Sequence, residues 1–268
     1  MKELKCICNN KNLTLFFNYN RKPFEETDFG INIKIYNRKF YKCINCDHFI
    51  ASHSLDLEQL YKGLYVNKTY DNNIEKIFMK ILNLPNNKSD NFFRVKRVIQ
   101  FSELFFKKYN TPKKLLDIGS GIGIFPFKIK NKYNVTALDP DQNSINFLNE
   151  KLKLKTIHGN YSRKITSHKF NVVTLNKVLE HLKKPEKILS YLKYNLLKNH
   201  FIYIEVPDGD QASKFGKNRE EFFIEHYHAF SKSSLNILLK KTGFEVLEIN
   251  SLIEPSGKFT IFAFAKKK

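Results

Sequence analysis

An apolar strand that runs straight into three closely spaced glycines constrains this chain more than any other segment. Leu115-Leu116-Asp117-Ile118 is an apolar run interrupted by one acid, and Gly119-Ser120-Gly121-Ile122-Gly123 follows it directly. Glycines at such a place let the backbone turn sharply and bring N–H groups at the start of a helix against a nucleotide-like ligand. A second apolar strand, Val135-Thr136-Ala137-Leu138, ends in Asp139, where a neighbouring parallel strand delivers a carboxylate beside the first turn. A carboxylate there can accept hydrogen bonds from both hydroxyls of a ribose. The dinucleotide pattern G-x-G-x-x-G is not met, because Ile124 and Pro126 stand where its third glycine would fall. A cofactor with adenosine and an amino-acid tail therefore fits better than one with a pyrophosphate.

This arrangement resembles motif I of the class I S-adenosylmethionine-dependent methyltransferases, over about residues 90 to 268. The resemblance implies that Asp117 orients the turn and the cofactor's amino group, that Gly119, Gly121 and Gly123 border its amino-acid part, and that Asp139 holds the ribose. It also places Asn160 near the adenine and Asn176, with Lys177 beside it, near the methionine part. S-adenosyl-L-methionine is the expected cofactor.

Strands are expected at about 114–118, 134–138, 155–157, 170–175, 200–205, 244–250 and 258–265, most of them alternating with helices as in a doubly wound sheet. The last two have no long helix between them and should form an antiparallel edge hairpin. The expected fold is thus α/β, a Rossmann-like seven-stranded methyltransferase sheet preceded by a small zinc-binding module. The chain divides into that module at 1–54, a connector with short helices at 55–90, and a catalytic domain at 91–268. Short helices are expected around Leu57–Tyr61 and Ile74–Met79, and a longer one from Phe92 to Tyr109. Tyr61, Tyr65 and Tyr70 either pack between the modules or cover the cofactor or substrate.

All four cysteines fall in the first 46 residues, as the pairs Cys6/Cys8 and Cys43/Cys46. Two close pairs separated by a strand-like stretch, Ile31–Tyr36, have the spacing of two knuckles on one tetrahedral zinc. His48 could replace one thiolate, and unliganded thiols or a redox pair are the alternatives. Full cysteine ligation leaves no open coordination position, which makes the metal structural.

Lys177-Val178-Leu179-Glu180-His181 follows the fourth strand of the domain, where ligands bind beyond the strand ends. Glu180 and His181 could border the methyl acceptor, although His181 could also brace the turn. Pro185 should start a helix, and Ser231 should cap the one that carries Leu235, Leu238 and Leu239. The polar run from Asp208 to Arg219 reads as a loop over the active edge.

The combination of Glu205-Val206-Pro207, Glu225-His226-Tyr227-His228-Ala229-Phe230-Ser231 and Thr242-Gly243-Phe244-Glu245-Val246 resembles a bacterial methyltransferase group with an N-terminal cysteine-rich zinc module. That group acts on nucleotide-linked sugars and related metabolites, and some members methylate a sugar carbon with a histidine base and a nearby tyrosine. The histidine corresponds to His226, but Phe223 stands where the tyrosine would be. A hydroxyl or amine acceptor is therefore expected, with His226 as base or as pocket wall, His228 and His181 as weaker candidates, and Glu225 as an orienting carboxylate.

Composition sets the outer bounds. With 268 residues, 42% of them hydrophobic, and 25 Phe, the chain can bury a full α/β core, which excludes disorder as its main state. A formal charge of +20, spread along the chain, is either a general solvated surface or a field for anionic partners, chiefly a nucleotide- or phosphate-linked small molecule, with RNA as the rival. No apolar run is long enough to span a bilayer, so the cytoplasm is the expected compartment. RNA methylation, sugar C-methylation and a noncatalytic cofactor-binding partner are the alternative functions.

Overall fold

The computed structural model describes residues 4–29, 36–53, 73–106 and 113–268. The strand expected at Ile31–Tyr36, apart from Tyr36 itself, the helix at Leu57–Tyr61, and Tyr61, Tyr65 and Tyr70 lie outside the described residues.

Among the described residues, β1 (Leu13–Tyr19), β2 (Arg38–Cys43) and β3 (Phe49–His53) form an antiparallel meander. Helices α1 (Ile74–Leu82) and α2 (Asp90–Phe105) lead into the larger unit. There, β4 (Lys114–Ile118), α3 (Ile124–Ile129), β5 (Asn134–Asp139), α4 (Gln142–Glu150), β6 (Lys155–His158), β7 (Phe170–Asn176), α5 (Pro185–Leu192) and β8 (Leu196–Pro207) follow in order. After them come α6 (Gly209–Ala212), β9 (His228–Ala229), α7 (Lys232–Lys241), β10 (Phe244–Ile253) and β11 (Phe259–Lys267).

The large sheet has the order β10-β11-β8-β7-β4-β5-β6, with β6 to β8 parallel and β11 antiparallel to both β8 and β10. The expected seven strands and edge hairpin are therefore present. Near-continuous apolar runs explain the central strands: Leu115, Leu116, Val172, Val173 and Ile202 are buried because helices cover both faces of a parallel sheet. Pro185 occupies the first turn of α5, and Ser231 caps α7 in a reciprocal arrangement with Ser234.

The four-stranded sheet has the order β1-β2-β3-β9. Its last strand comes from the far end of the chain, with Phe49 opposite Ala229 and Ile50 opposite His228. The Asp208–Arg219 run departs from its reading as a loop over the active edge. It contains α6 and a 3-10 turn at Ser213–Phe215. Gly209 packs so closely on Ala229 and Phe49 that a Cβ would meet each at 2.8 Å. None of residues 208–219 lines either cavity, and the chamber wall resumes only at Glu220.

Candidate active site

The carboxyl ends of β4, β5 and β7 open into a cleft of about 1240 Å³. The glycine turn forms its floor. Gly119, Gly121 and Gly123 all have positive φ, at 70°, 51° and 81°. A Cβ on Gly119 would meet Val178 Cγ2 at 2.6 Å, and one on Gly123 would meet Leu148 Cδ2 at 2.1 Å. The first and last positions thus need glycine for conformation and for space. The N–H groups of Gly119 and Ser120 both donate to the Leu138 carbonyl, at 2.8 and 3.1 Å, which ties the turn to β5.

Asp117 is buried behind this turn. It accepts from Thr174 Oγ1 at 2.6 Å and Asn176 Nδ2 at 2.9 Å, and burial raises its pKa to about 6 against those hydrogen bonds. Asp139 accepts from the Gly121 N–H at 2.7 Å and the Asp141 N–H at 2.9 Å, and burial raises its pKa to about 6 as well. Asp117, the three glycines, Asp139, Asn160 and Asn176 all line this one cleft. The expected cofactor residues therefore converge, and Asn176 touches Asp117 directly.

Arg94, on the cleft wall, was not among the expected site residues. Its Nε donates to Glu205 Oε2 at 2.6 Å, while Arg97 Nη2 donates to Glu205 Oε1 at 3.0 Å and Arg97 Nε to Tyr203 Oη at 2.9 Å. The guanidinium groups hold the fully buried Glu205 down to about 2, against the upward pull of burial. An acid inside the apolar strand Phe201–Val206 was the sequence signal for such partners, since a buried carboxylate needs cations.

A smaller chamber of about 150 Å³ adjoins the cleft through Lys177, His181 and Lys258, which line both. Glu180, Glu225 and His226 also line it. His226 Nδ1 lies 3.0 Å from the Glu221 carbonyl, and His181 Nδ1 lies 3.1 Å from the Glu225 carbonyl. Each contact requires Nδ1–H as donor and puts the ring's lone pair on Nε2. The rings stand 4.8 Å apart between centroids. Burial lowers the His181 pKa to about 4 and drives that of His226 well below its usual range, so both are neutral at pH 7. Burial raises Glu225 to about 7 and Glu180 to about 8, the latter against the pull of Lys177.

His228 is placed elsewhere. His226 sits in the turn before β9, whereas His228 is in the strand, buried, with Nδ1 2.9 Å from His48 Nε2. It is absent from the lining of both cavities. His48 has Nδ1 3.2 Å from Ser234 Oγ, so both its ring nitrogens are engaged away from the thiols.

The four cysteines do converge. They are free thiols with Cys6 and Cys46 Sγ atoms 3.5 Å apart and those of Cys8 and Cys43 3.6 Å apart. All four lie within 4.8 Å of one another. Thiolates on a zinc tetrahedron, with Zn–S of about 2.3 Å, stand about 3.8 Å apart, so this donor set fits such an ion.

The N-terminal strands reach across to the chamber wall. Arg38 and Glu26 form an ion pair at 2.8 Å with no side-chain exposure. Arg38 Nη1 donates to the Phe222 carbonyl, and Glu26 Oε2 accepts the Ile224 N–H at 2.7 Å. The Ala51 N–H donates to the Tyr227 carbonyl at 2.9 Å, and the Tyr227 N–H to the Glu180 carbonyl at 2.8 Å. Among the described residues, no helix is long and apolar enough to cross a membrane.

A family model described as a methyltransferase domain matches residues 91–249. No curated protein matches the chain. Among solved structures, magnesium protoporphyrin IX methyltransferase (ChlM) from Synechocystis PCC 6803 with bound SAH has a TM-score of 0.59 at 12% identity, over 80% of this chain and 100% of that one. The plantazolicin methyltransferase BpumL, in complex with a pentazolic desmethylPZN analog and SAH, has a TM-score of 0.56 at 19% identity, over 76% and 90%. The glycopeptide N-methyltransferase MtfA complexed with (S)-adenosyl-L-methionine has a TM-score of 0.50 at 11% identity, over 65% and 94%. At these identities the likeness is one of fold, while the domain match spans more than half of the sequence. The chain belongs to the methyltransferase-domain family and is an S-adenosylmethionine-dependent methyltransferase.

Proposed function

We propose that this enzyme methylates a hydroxyl or amine of a small, nucleotide- or phosphate-linked metabolite, of the kind used in surface polysaccharide assembly. The observation that carries the reading is the histidine-lined chamber opening beside the cofactor cleft. The glycine turn and Asp117 take the methionine part of the cofactor, Asp139 takes the ribose, and Asn160 flanks the adenine. Held by these residues, the cofactor would supply the methyl group, and the adjoining chamber would hold the acceptor in line with it.

In the transfer the acceptor oxygen or nitrogen forms a bond to the methyl carbon. The C–S bond breaks, and its electron pair returns to sulfur as a neutral thioether. The acceptor's proton passes to Nε2 of His226, which is neutral and points its N–H at the Glu221 carbonyl. His181 and Glu225 position the acceptor. Lys88, Lys183 and Lys258 on the cleft wall suit an anionic portion of the substrate. Carbon methylation through a histidine–tyrosine pair is disfavoured, because Phe223 carries no hydroxyl.

On this reading the chain comprises a cysteine module at 1–54, a connector at 55–90 and the catalytic domain at 91–268, with structural zinc on Cys6, Cys8, Cys43 and Cys46. When bound, the zinc would supply cross-linking, with the thiolates holding the last residue of β2 and the turn after it against the N-terminal turn.

Mass spectrometry of reactions with S-adenosylmethionine and separate pools of nucleotide-linked metabolites and of RNA tests the assignment. A gain of one methyl on a soluble metabolite supports it. Labelling of RNA alone replaces it with the RNA reading, and cofactor binding without turnover on any acceptor pool favours a noncatalytic partner.

A further inference from the structure

We infer that Glu180, His181 and His226 form a second, exchangeable site for a divalent ion of the zinc class, and that an ion bound there opposes methyl transfer. One ligand atom from each residue lies within 4.8 Å of those of the other two. The set combines two imidazoles with one carboxylate, a donor combination that suits borderline transition ions. The surroundings are those of ligating side chains. Both histidines direct Nδ1 at a backbone carbonyl, that of Glu225 for His181 and that of Glu221 for His226. Outer hydrogen bonds of this kind fix ring orientation and present Nε2 to a metal. Glu180 is 1% exposed, and its Oε2 has no hydrogen-bond partner. A buried carboxylate oxygen left without a donor calls for a cation or a donor from a ligand.

The lone pair that would bind the ion on His226 is the one assigned to the acceptor's proton. One nitrogen cannot do both, so ion binding and proton acceptance exclude each other. Lys177 lies on the same chamber wall, where its Nζ donates to Thr260 Oγ1 at 2.6 Å. Two imidazoles and one carboxylate would hold a zinc-class ion less tightly than four thiolates would, which separates this site from the cysteine cluster. The site itself stands on the three side chains alone. The antagonism rests on His226 being the base.

The test uses the full chain with one equivalent of zinc in its cysteine cluster, dialysed against a weak chelator and titrated with Co²⁺ or Zn²⁺ by calorimetry and visible absorption. Wild type should take one further equivalent, and cobalt there should show weak d–d bands without thiolate charge transfer. Mg²⁺, which prefers oxygen ligands and retains its water, should not fill the site. Glu180→Gln and His226→Asn should each weaken the second equivalent by ~10-fold or more, while keeping the first equivalent and an unchanged unfolding midpoint. No second equivalent in wild type, or its persistence in both variants, overturns the site. With an acceptor in hand, Zn²⁺ should slow turnover, and the chelator should restore it. An ion that binds without slowing turnover overturns the antagonism and leaves the stoichiometry standing, so the two failures are told apart.

Discussion

The Arg38–Glu26 pair gives a prediction in which the two halves of a salt bridge are unequal. Both side chains have zero exposure, and the pair sits under Tyr19, with the guanidinium carbon 3.9 Å from the ring centroid. Removing one partner of a buried pair leaves the other charged and uncompensated, at a cost of about 3–5 kcal/mol. Arginine cannot escape that cost by losing its proton, so Glu26→Gln should destabilise by the full amount, a large part of a domain stability of about 5–15 kcal/mol. A carboxylate can escape. Burial already raises the Glu26 pKa, and Arg38 opposes that shift, so loss of Arg38 lets the acid take up a proton. Arg38→Met should therefore cost less than Glu26→Gln at pH 7. With the Glu26 pKa raised in the folded state, the deficit of Arg38→Met should shrink as pH falls, because the folded form then binds the extra proton. The pair holds the Phe222 carbonyl and the Ile224 N–H, two residues before His226, so both variants should lower kcat and leave cofactor affinity nearly unchanged. Urea unfolding at pH 7 and pH 5.5, cofactor calorimetry and turnover rates measure these effects. Equal losses at pH 7, or a larger loss in Arg38→Met, would refute the argument.

Three further perturbations separate the cofactor, acceptor and metal parts of the molecule. Asp139 must be ionised to accept two ribose hydrogen bonds, and its pKa is raised to about 6, so wild-type cofactor affinity should fall roughly tenfold per pH unit below that value. Asp139→Asn should bind weakly with no such pH dependence, and calorimetry between pH 7.5 and 5 checks it. Folding stability has the opposite sign: Asp117 and Asp139 bind protons more tightly when folded, so their contribution rises as pH drops from 7 through 6 toward 4. His226→Ala should lower kcat by about 10²–10⁴-fold at unchanged cofactor affinity, and single-turnover rates that match wild type would remove it as the base. Cys43→Ser should abolish stoichiometric zinc by elemental analysis and lower the unfolding midpoint. Retention of a full equivalent would place the metal elsewhere.

The glycine-turn cleft and the large sheet were legible because their signals are local. The glycine turn, the acid ending β5, the apolar runs of the parallel strands and the short link between β10 and β11 each lie within a few consecutive residues. Pro185 and Ser231 act on the helix they begin. The adjoining chamber depends on pairings between distant parts of the chain. His226 and His228 are two apart, and strand alternation would put them on one face, but β9 starts only at His228 and the turn before it sends His226 toward the chamber. A two-residue strand has no periodicity to read. Arg94 and Arg97 were hidden in an aromatic-rich helix, and the buried Glu205 and Tyr203, more than a hundred residues away, explain them.

The same long-range pairings bear on why a small sheet with a four-cysteine cluster accompanies this fold. The small sheet could end at β3, yet it accepts β9, and its Ala51 and Arg38, with Glu26, hold the backbone from Phe222 to Tyr227. On the opposite side, the Ser231 hydroxyl that caps α7 donates to the Cys46 carbonyl at 2.6 Å. The segment with Glu225 and His226 is therefore clamped at both ends by residues of the first 53. A loop of this length held only by the large sheet would have to order itself at each encounter with the acceptor, and that ordering would weaken binding. Fixing it beforehand against the small sheet, which zinc on the four thiols would cross-link, leaves the histidines placed before substrate arrives. Loss of zinc should then appear first as lost turnover and only later as lost cofactor binding. A chelated, still-folded sample whose kcat and cofactor affinity decline together would show that the module stabilises the whole fold instead.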